Sequence, residues 1–162
     1  MRFYNLTNEY VSFLKNWDSK VPDNKNEKRP YVGTVLELSG VKYFAPITSP
    51  KEKHRHMKNS KDFRKINEGK YGAINLNNMI PVVASALIDI DIPNLQDKKY
   101  MRLLQDQYSY IRADQEQIRT AALRLHTLVF TDDQKLSTFD LRVKNRCCNL
   151  PVLENAALKY KS

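Results

Sequence analysis

The chain has 162 residues, 41% of them hydrophobic, and a formal charge of +9 at neutral pH. That length and apolar content fit one folded domain over 1–162 and exclude an intrinsically disordered chain. The charge calls for an acidic partner, nucleic acid first and an anionic membrane surface second, and no apolar run approaches the ~20 residues that span a bilayer.

The opening Met1-Arg2-Phe3-Tyr4-Asn5 has no apolar core behind it, so it does not read as a secretory leader. Residues 3–6 form a short strand candidate. Thr7 or Asn8 then caps a helix running to Asp18, with Tyr10, Val11, Phe13, Leu14 and Trp17 on its apolar face. Trp17 is expected in the core. A polar loop over 21–29 follows. Strands are expected over 31–38 and 41–47, joined by the Ser39-Gly40 hairpin turn. Further strands are expected over 71–76, 79–83 and 87–92, the last alternating Ile88, Ile90 and Ile92 against Asp89 and Asp91.

The period then changes. Over 97–112, Tyr100, Leu103, Leu104, Tyr108 and Ile111 recur at helical spacing. Asp114 with Gln117 resembles a capping box that starts a second helix, although one long disturbed helix is equally compatible. Weaker helices are expected over 136–147 and 150–159. Strands first and helices later indicate an α+β fold: a small antiparallel, partly closed barrel-like sheet covered by helices, with a helical C-terminal half. Cys147 and Cys148 are adjacent, which seldom permits a disulfide; a reduced, cytoplasmic protein without a Cys-based zinc site is the simpler reading.

Residues 46–56 carry the candidate chemistry. The second hairpin strand ends at Pro46-Ile47-Thr48-Ser49-Pro50-Lys51, and a cationic loop follows. Between 51 and 65 stand seven cations, Lys51, Lys53, Arg55, Lys58, Lys61, Arg64 and Lys65, against the two acids Glu52 and Asp62. The hairpin sets its strands antiparallel, so Arg29 and Tyr31 fall near Thr48 and Ser49. RNA is the polyanion that suits such a site. An RNA strand carries its own nucleophile, the 2′-hydroxyl. Cutting it requires alignment of that oxygen with the leaving 5′-oxygen, proton movement at both, and stabilisation of charge on the phosphoryl oxygens. Thr48 and Ser49 suit positioning, and Lys51 and Arg29 suit the phosphate. Lys51 lies among like charges, so it either holds phosphate or loses its proton and acts as base. His54 has an unperturbed pKa of ~6.5, suited to proton transfer or phosphate contact. Lys25, Lys28, Lys53, Arg55, His56, Lys58, Lys61, Arg64 and Lys65 are expected to bind RNA, with Tyr31 stacking a base. No metal or other cofactor is expected, because His54-x-His56 lacks an evident third ligand. The bland alternatives remain: Thr-Ser-Pro-Lys is an ordinary turn, and a basic surface also serves a non-catalytic RNA-binding protein.

Several segments in fixed order resemble the ToxN/AbiQ family, the toxins of type III toxin–antitoxin systems, its CptN branch included. They are Arg2-Phe3-Tyr4, Lys20-Val21-Pro22, Arg29-Pro30-Tyr31-Val32-Gly33, Lys42-Tyr43-Phe44-Ala45-Pro46, Thr48-Ser49-Pro50-Lys51 and the run 72–81. The resemblance implies a bacterial endoribonuclease with a sheet related to the Kid/MazF toxins. It implies cleavage of cellular mRNA and of a tandem-repeat antitoxin RNA, leaving 2′,3′-cyclic phosphate ends. The processed RNA pseudoknots would stay bound as inhibitors in a closed protein–RNA ring, and the system would defend against phage. Within this resemblance the active-site turn falls on Thr48, Ser49 and Lys51, the basic residue of the preceding strand on Arg29, and a family histidine on His54. Arg29 stands where Lys is frequent, so it should hold phosphate rather than act as base. Lys25 stands where the family has an active-site tyrosine.

Overall fold

The computed structural model describes residues 1–161. Strand β1 (Arg2–Leu6) leads into helix α1 (Asn8–Lys15), whose N-cap Thr7 accepts a hydrogen bond from the Tyr10 N–H. The helix ends before Trp17, which falls in the following turn and is 47% exposed with the Lys159 ammonium over its ring. The expected core place of Trp17 is therefore wrong: the apolar stripe stops at Leu14.

The hairpin of β2 (Tyr31–Leu38) and β3 (Val41–Thr48) forms as its pattern predicts. Ser39 and Gly40 both take positive φ, 50° and 79°, the backbone that a two-residue hairpin turn needs. Tyr31 pairs with Pro46 and Val32 with Ala45, while a register irregularity separates this end from the Leu36–Tyr43 pair.

A short helix α2 (Glu52–His56) follows, then β4 (Arg64–Lys65), β5 (Ala73–Ile74), β6 (Ile80–Pro81) and β7 (Leu87–Asp89). These last strands are shorter than expected. Gly72, at φ 90°, and Asn75, at ψ 85°, break the 71–76 run. Pro81 removes a ladder donor in the next run. A 3-10 turn, Ile92–Asn94, takes the end of the 87–92 run.

The antiparallel sheet runs β4-β5-β3-β2-β1-β7, with β6 also on β3. The outer strands β4 and β7 do not pair with each other, so the sheet is open rather than a partly closed barrel. Helices α3 (Lys98–Ala113), α4 (Gln115–Val129), α5 (Thr138–Arg146) and α6 (Leu150–Lys159) complete the chain. One hydrophobic cluster runs from Phe3 in β1 to Ala156 in α6, so the helices complete the core of the sheet. Asp97 and Ser137 cap α3 and α5. Asp114 separates two helices but does not cap α4 with its side chain. Its carboxylate turns instead to a bidentate pair with Arg64, at 2.6 and 2.8 Å. Cys147 and Cys148 are free and buried, and burial pushes both thiols up to about 12. No helix among the described residues is long and apolar enough to cross a membrane.

Candidate nucleic-acid interface

The hairpin carries its ladder one step beyond the regular register: the Ile47 N–H donates to the Pro30 carbonyl at 2.9 Å. That bond places Arg29 beside the end of β3, where Thr48 is half-buried and Ser49 is exposed. On the other side Thr48 pairs with Ala73 of β5. Gly72 packs so closely that a Cβ there would lie 2.0 Å from the Thr48 carbonyl oxygen. The turn is thus seated between two neighbouring backbones.

Lys51 begins α2. Its carbonyl accepts the His54 N–H at 2.9 Å, and its own N–H donates to the His54 Nδ1 at 3.1 Å. Nδ1 is therefore an acceptor and the neutral ring carries its proton on Nε2. Burial lowers the His54 pKa from the ordinary value, and the charges of Lys53 and Lys51 lower it further. A ring only 2% exposed, packed on Phe63, holds the turn in shape.

Two cavities flank this turn. One, of about 380 Å³, has Lys25, Lys28, Arg29 and Ser49 in its wall. The other, of about 330 Å³, has Thr48, Lys51, Lys53 and His54 in its wall. Thr48 and Ser49 are successive residues facing different cavities, so the turn is a saddle between two cationic hollows. The 21–29 loop is held in place by side chains that the sequence pattern did not single out. Asn24 donates to the Leu6 carbonyl at 2.9 Å, Glu27 accepts the Asn8 N–H at 2.9 Å, and Asn5 donates to the Arg29 carbonyl at 3.0 Å. The Arg29 side chain donates through Nε to the Asp23 carbonyl.

Other expected residues lie elsewhere. Tyr31 is fully buried, its hydroxyl has no partner among the described residues, and burial raises its pKa; it cannot stack a base, because its ring points into the core. Arg64 is committed to Asp114, and Lys65 to Glu68 at 3.0 Å with its side chain only 12% exposed. Lys61 pairs with Asp140 at 2.6 Å, in the wall of a third cavity of about 690 Å³. Lys61 and Arg64 thus tie the loop to α5 and to the end of α3, a use that local composition does not reveal, while the Lys65 pair is local. Lys53, Arg55 and Lys58 stay exposed, with no carboxylate within 4.0 Å among the described residues. His56 is exposed and lies 3.4 Å from Glu52, whereas His54 is buried, so the two imidazoles do not converge on one ion. His126 stacks on Phe130, and its Nε2 lies 3.2 Å from the Tyr43 hydroxyl and 3.3 Å from Glu154, remote from the turn.

The fold and site define an α+β protein with a cationic turn set between two hollows. Residues 2–158 match the family model of toxin ToxN, type III toxin–antitoxin system, and the chain belongs to that family. It is 34% identical over 139 residues to endoribonuclease ToxN of Pectobacterium atrosepticum, covering 80% of this chain and 81% of the relative. A solved structure concerned with selective toxin inhibition by a non-coding RNA pseudoknot in type III toxin–antitoxin systems superposes with a TM-score of 0.87. It shares 33% identity and covers 99% of this chain and 98% of its own. A second, concerned with a processed non-coding RNA that regulates a bacterial antiviral system, gives a TM-score of 0.81 at 31% identity, with 100% of both chains covered.

Proposed function

We propose that this protein is the toxin of a type III pair and an endoribonuclease, acting as a single domain over 1–162 in the bacterial cytoplasm. Its open sheet is a remote relative of the Kid/MazF core. It cuts its repeat-containing antitoxin precursor and cellular mRNA, and is inhibited by the processed RNA pseudoknots, with which it forms a closed ring. Its service is phage defence. The observation that carries this reading is the pairing of Arg29 with the Thr48-Ser49 turn across the Ile47–Pro30 bond, in a chain that matches the toxin family over 2–158.

The reaction follows from that geometry. An RNA strand crosses the turn with neighbouring nucleotides in the two hollows. Held apart in this way, the two bases cannot stack, and the phosphate between them lies over Thr48 and Ser49. The unstacked backbone is free to bring a 2′-oxygen in line with the leaving 5′-oxygen, a geometry that a stacked helix denies. Attack forms the 2′-O–P bond and breaks the P–O5′ bond; the 2′-hydroxyl gives up its proton and the leaving 5′-oxygen takes one up, so the products are a 2′,3′-cyclic phosphate and a 5′-hydroxyl. Arg29 and Lys51 carry positive charge to the phosphoryl oxygens as the extra negative charge develops, which metal ions do in other nucleases. Ser49 and Thr48 donate hydrogen bonds that fix the reacting phosphate.

The test is single-stranded RNA incubated with the pure protein in excess EDTA. Cyclic-phosphate ends support the enzyme, while RNA that is shifted in mobility but intact supports a binding protein. Ser49→Ala and Lys51→Ala should each remove cleavage and toxicity while leaving a folded protein. Full activity in both variants refutes the site.

A further inference from the structure

The hollow on the Lys51 side contains one cation that no local sequence pattern announces. Arg146 is the last residue of α5, 84 positions away from Asp62. Its Nε and Nη2 donate to the two Asp62 carboxylate oxygens, both at 3.0 Å. Asp62 is itself 5% exposed. It accepts a further hydrogen bond from the Ser60 hydroxyl at 3.0 Å, and its carbonyl accepts the Asn77 N–H at 3.0 Å. The anchor is therefore rigid, yet the Arg146 side chain remains 52% exposed, in the wall of the cavity shared with Thr48, Lys51 and Lys53.

A guanidinium has five N–H donors in a planar fork, and the Asp62 pair uses two. The remaining donors are held in one orientation, so little rotamer freedom is lost when a ligand binds. Asp62 is the one carboxylate in that wall, and its charge is already matched by Arg146. Lys51 and Lys53 then leave the hollow net positive. Its volume of about 330 Å³ lies at the small-ligand end of protein pockets and suits one nucleotide.

We propose that Arg146 is a phosphate-binding residue for the RNA strand on the Lys51 side of the turn, with Asp62 as its positioning residue. The C-terminal helices thereby contribute directly to the RNA site. This rests on reading the turn as the site of RNA cleavage. A clamp that only tied α5 to the 60–63 loop would contribute to stability without a salt-dependent effect on RNA.

The experiment measures binding of a single-stranded 2′-O-methyl RNA oligonucleotide, which cannot be cut at its blocked 2′-oxygens, by fluorescence anisotropy across a salt series. Arg146→Met, made together with Asp62→Asn so that no unmatched anion is left in the wall, should weaken binding about tenfold and flatten the log–log salt slope by roughly 0.7, the value for one phosphate contact on a single strand. Arg146→Lys should keep the wild-type slope, with an affinity between the two. Asn75→Asp, in the same wall, adds an anion without touching the Asp62 pair, and should also weaken binding about tenfold through like-charge repulsion. Wild-type affinity and slope in the double variant overturn the inference. If that variant does not fold, wild-type binding in Asn75→Asp overturns it instead. Cleavage of unmodified RNA by the wild type is measured in parallel. If the wild type cuts while the double variant binds normally, only this inference falls; if the wild type neither cuts nor binds, the proposed function falls with it.

Discussion

Replacing Gly72 by Ala should disable the turn without changing the identity of any residue proposed to contact RNA. The added Cβ would stand 2.0 Å from the Thr48 carbonyl oxygen and 3.0 Å from the Ser49 carbonyl carbon, where ordinary contact begins at 3.4 Å. Those atoms are backbone, so no side chain can swing away. Closing the gap between 2.0 and 3.4 Å requires a retreat of ~1.4 Å by one of the two segments. Gly72 also sits at φ 90°, where an L-residue is strained by about 1–2 kcal/mol. Adding an overpacking cost of about 1–3 kcal/mol gives a stability loss of about 2–5 kcal/mol. A misplacement of about 1 Å at a reacting centre costs on the order of 100-fold in rate. Cleavage of a fluorophore–quencher RNA should thus fall by about that factor in protein that remains folded at the assay temperature. Gly40→Ala is the control: it shares the positive φ, at 79°, but nothing lies within 4 Å of its Cβ. It should lose about 1 kcal/mol and no activity. Wild-type cleavage and melting temperature in Gly72→Ala would refute the claim that this close approach shapes the site.

Tyr31→Phe removes a buried hydroxyl that has no partner among the described residues, so stability should hold or rise by up to about 1 kcal/mol, and cleavage should be unchanged. Lost cleavage would return that hydroxyl to the chemistry. His54 is held neutral by burial and by its lysine neighbours, so its folded pKa lies below the unfolded value of about 6.5. Its contribution is therefore fully present above about pH 6.5 and is lost as pH falls through the folded pKa. His54→Asn keeps an acceptor near the Nδ1 position but does not titrate, and its urea midpoint should fall less steeply below that pH than the wild type's; parallel curves would exclude His54 as the acid-sensitive cap. Arg64→Ala breaks the bidentate pair with Asp114 and should cost about 1–3 kcal/mol in unfolding free energy. RNA affinity should stay within about twofold, since the phosphate has no claim on that guanidinium; a tenfold loss would place Arg64 in the interface.

The hairpin was legible because a two-residue turn leaves one antiparallel register, and that register alone brings Arg29 to Thr48. The N-cap Thr7 was legible because capping is settled within one turn of helix. Asp114 looks the same locally, and its carboxylate nevertheless goes to Arg64, 50 residues away. The same cause hides Asp62 and Arg146, since nothing in the neighbourhood of either says that they meet. Tyr31 misled for another reason. It occupies a strand beside the site, but Tyr31 and Val32 point to opposite faces and both are fully buried, so neither face of this strand end is open to a base.

Counting cations in the 51–65 loop overstates the field available to a phosphate. Lys61, Arg64 and Lys65 are matched by Asp140, Asp114 and Glu68; the first two pairs tie the loop to the helices, the third is local, and none leaves a free attractor. The charge left over is distributed by geometry. Lys25, Lys28 and Arg29 stand on one side of the Thr48–Lys51 saddle, and Lys51 and Lys53 on the other, with Arg146 beside them. A strand drawn to both sides is pulled across the turn, and the pull is useful only if the turn does not give way. Gly72 beneath Thr48 and His54 beneath Lys51 are what stop it giving way. In the proposed reaction the internal ion pairs and the free cations work in series: the first fix the loop, and the second act on the phosphate that the fixed loop would present.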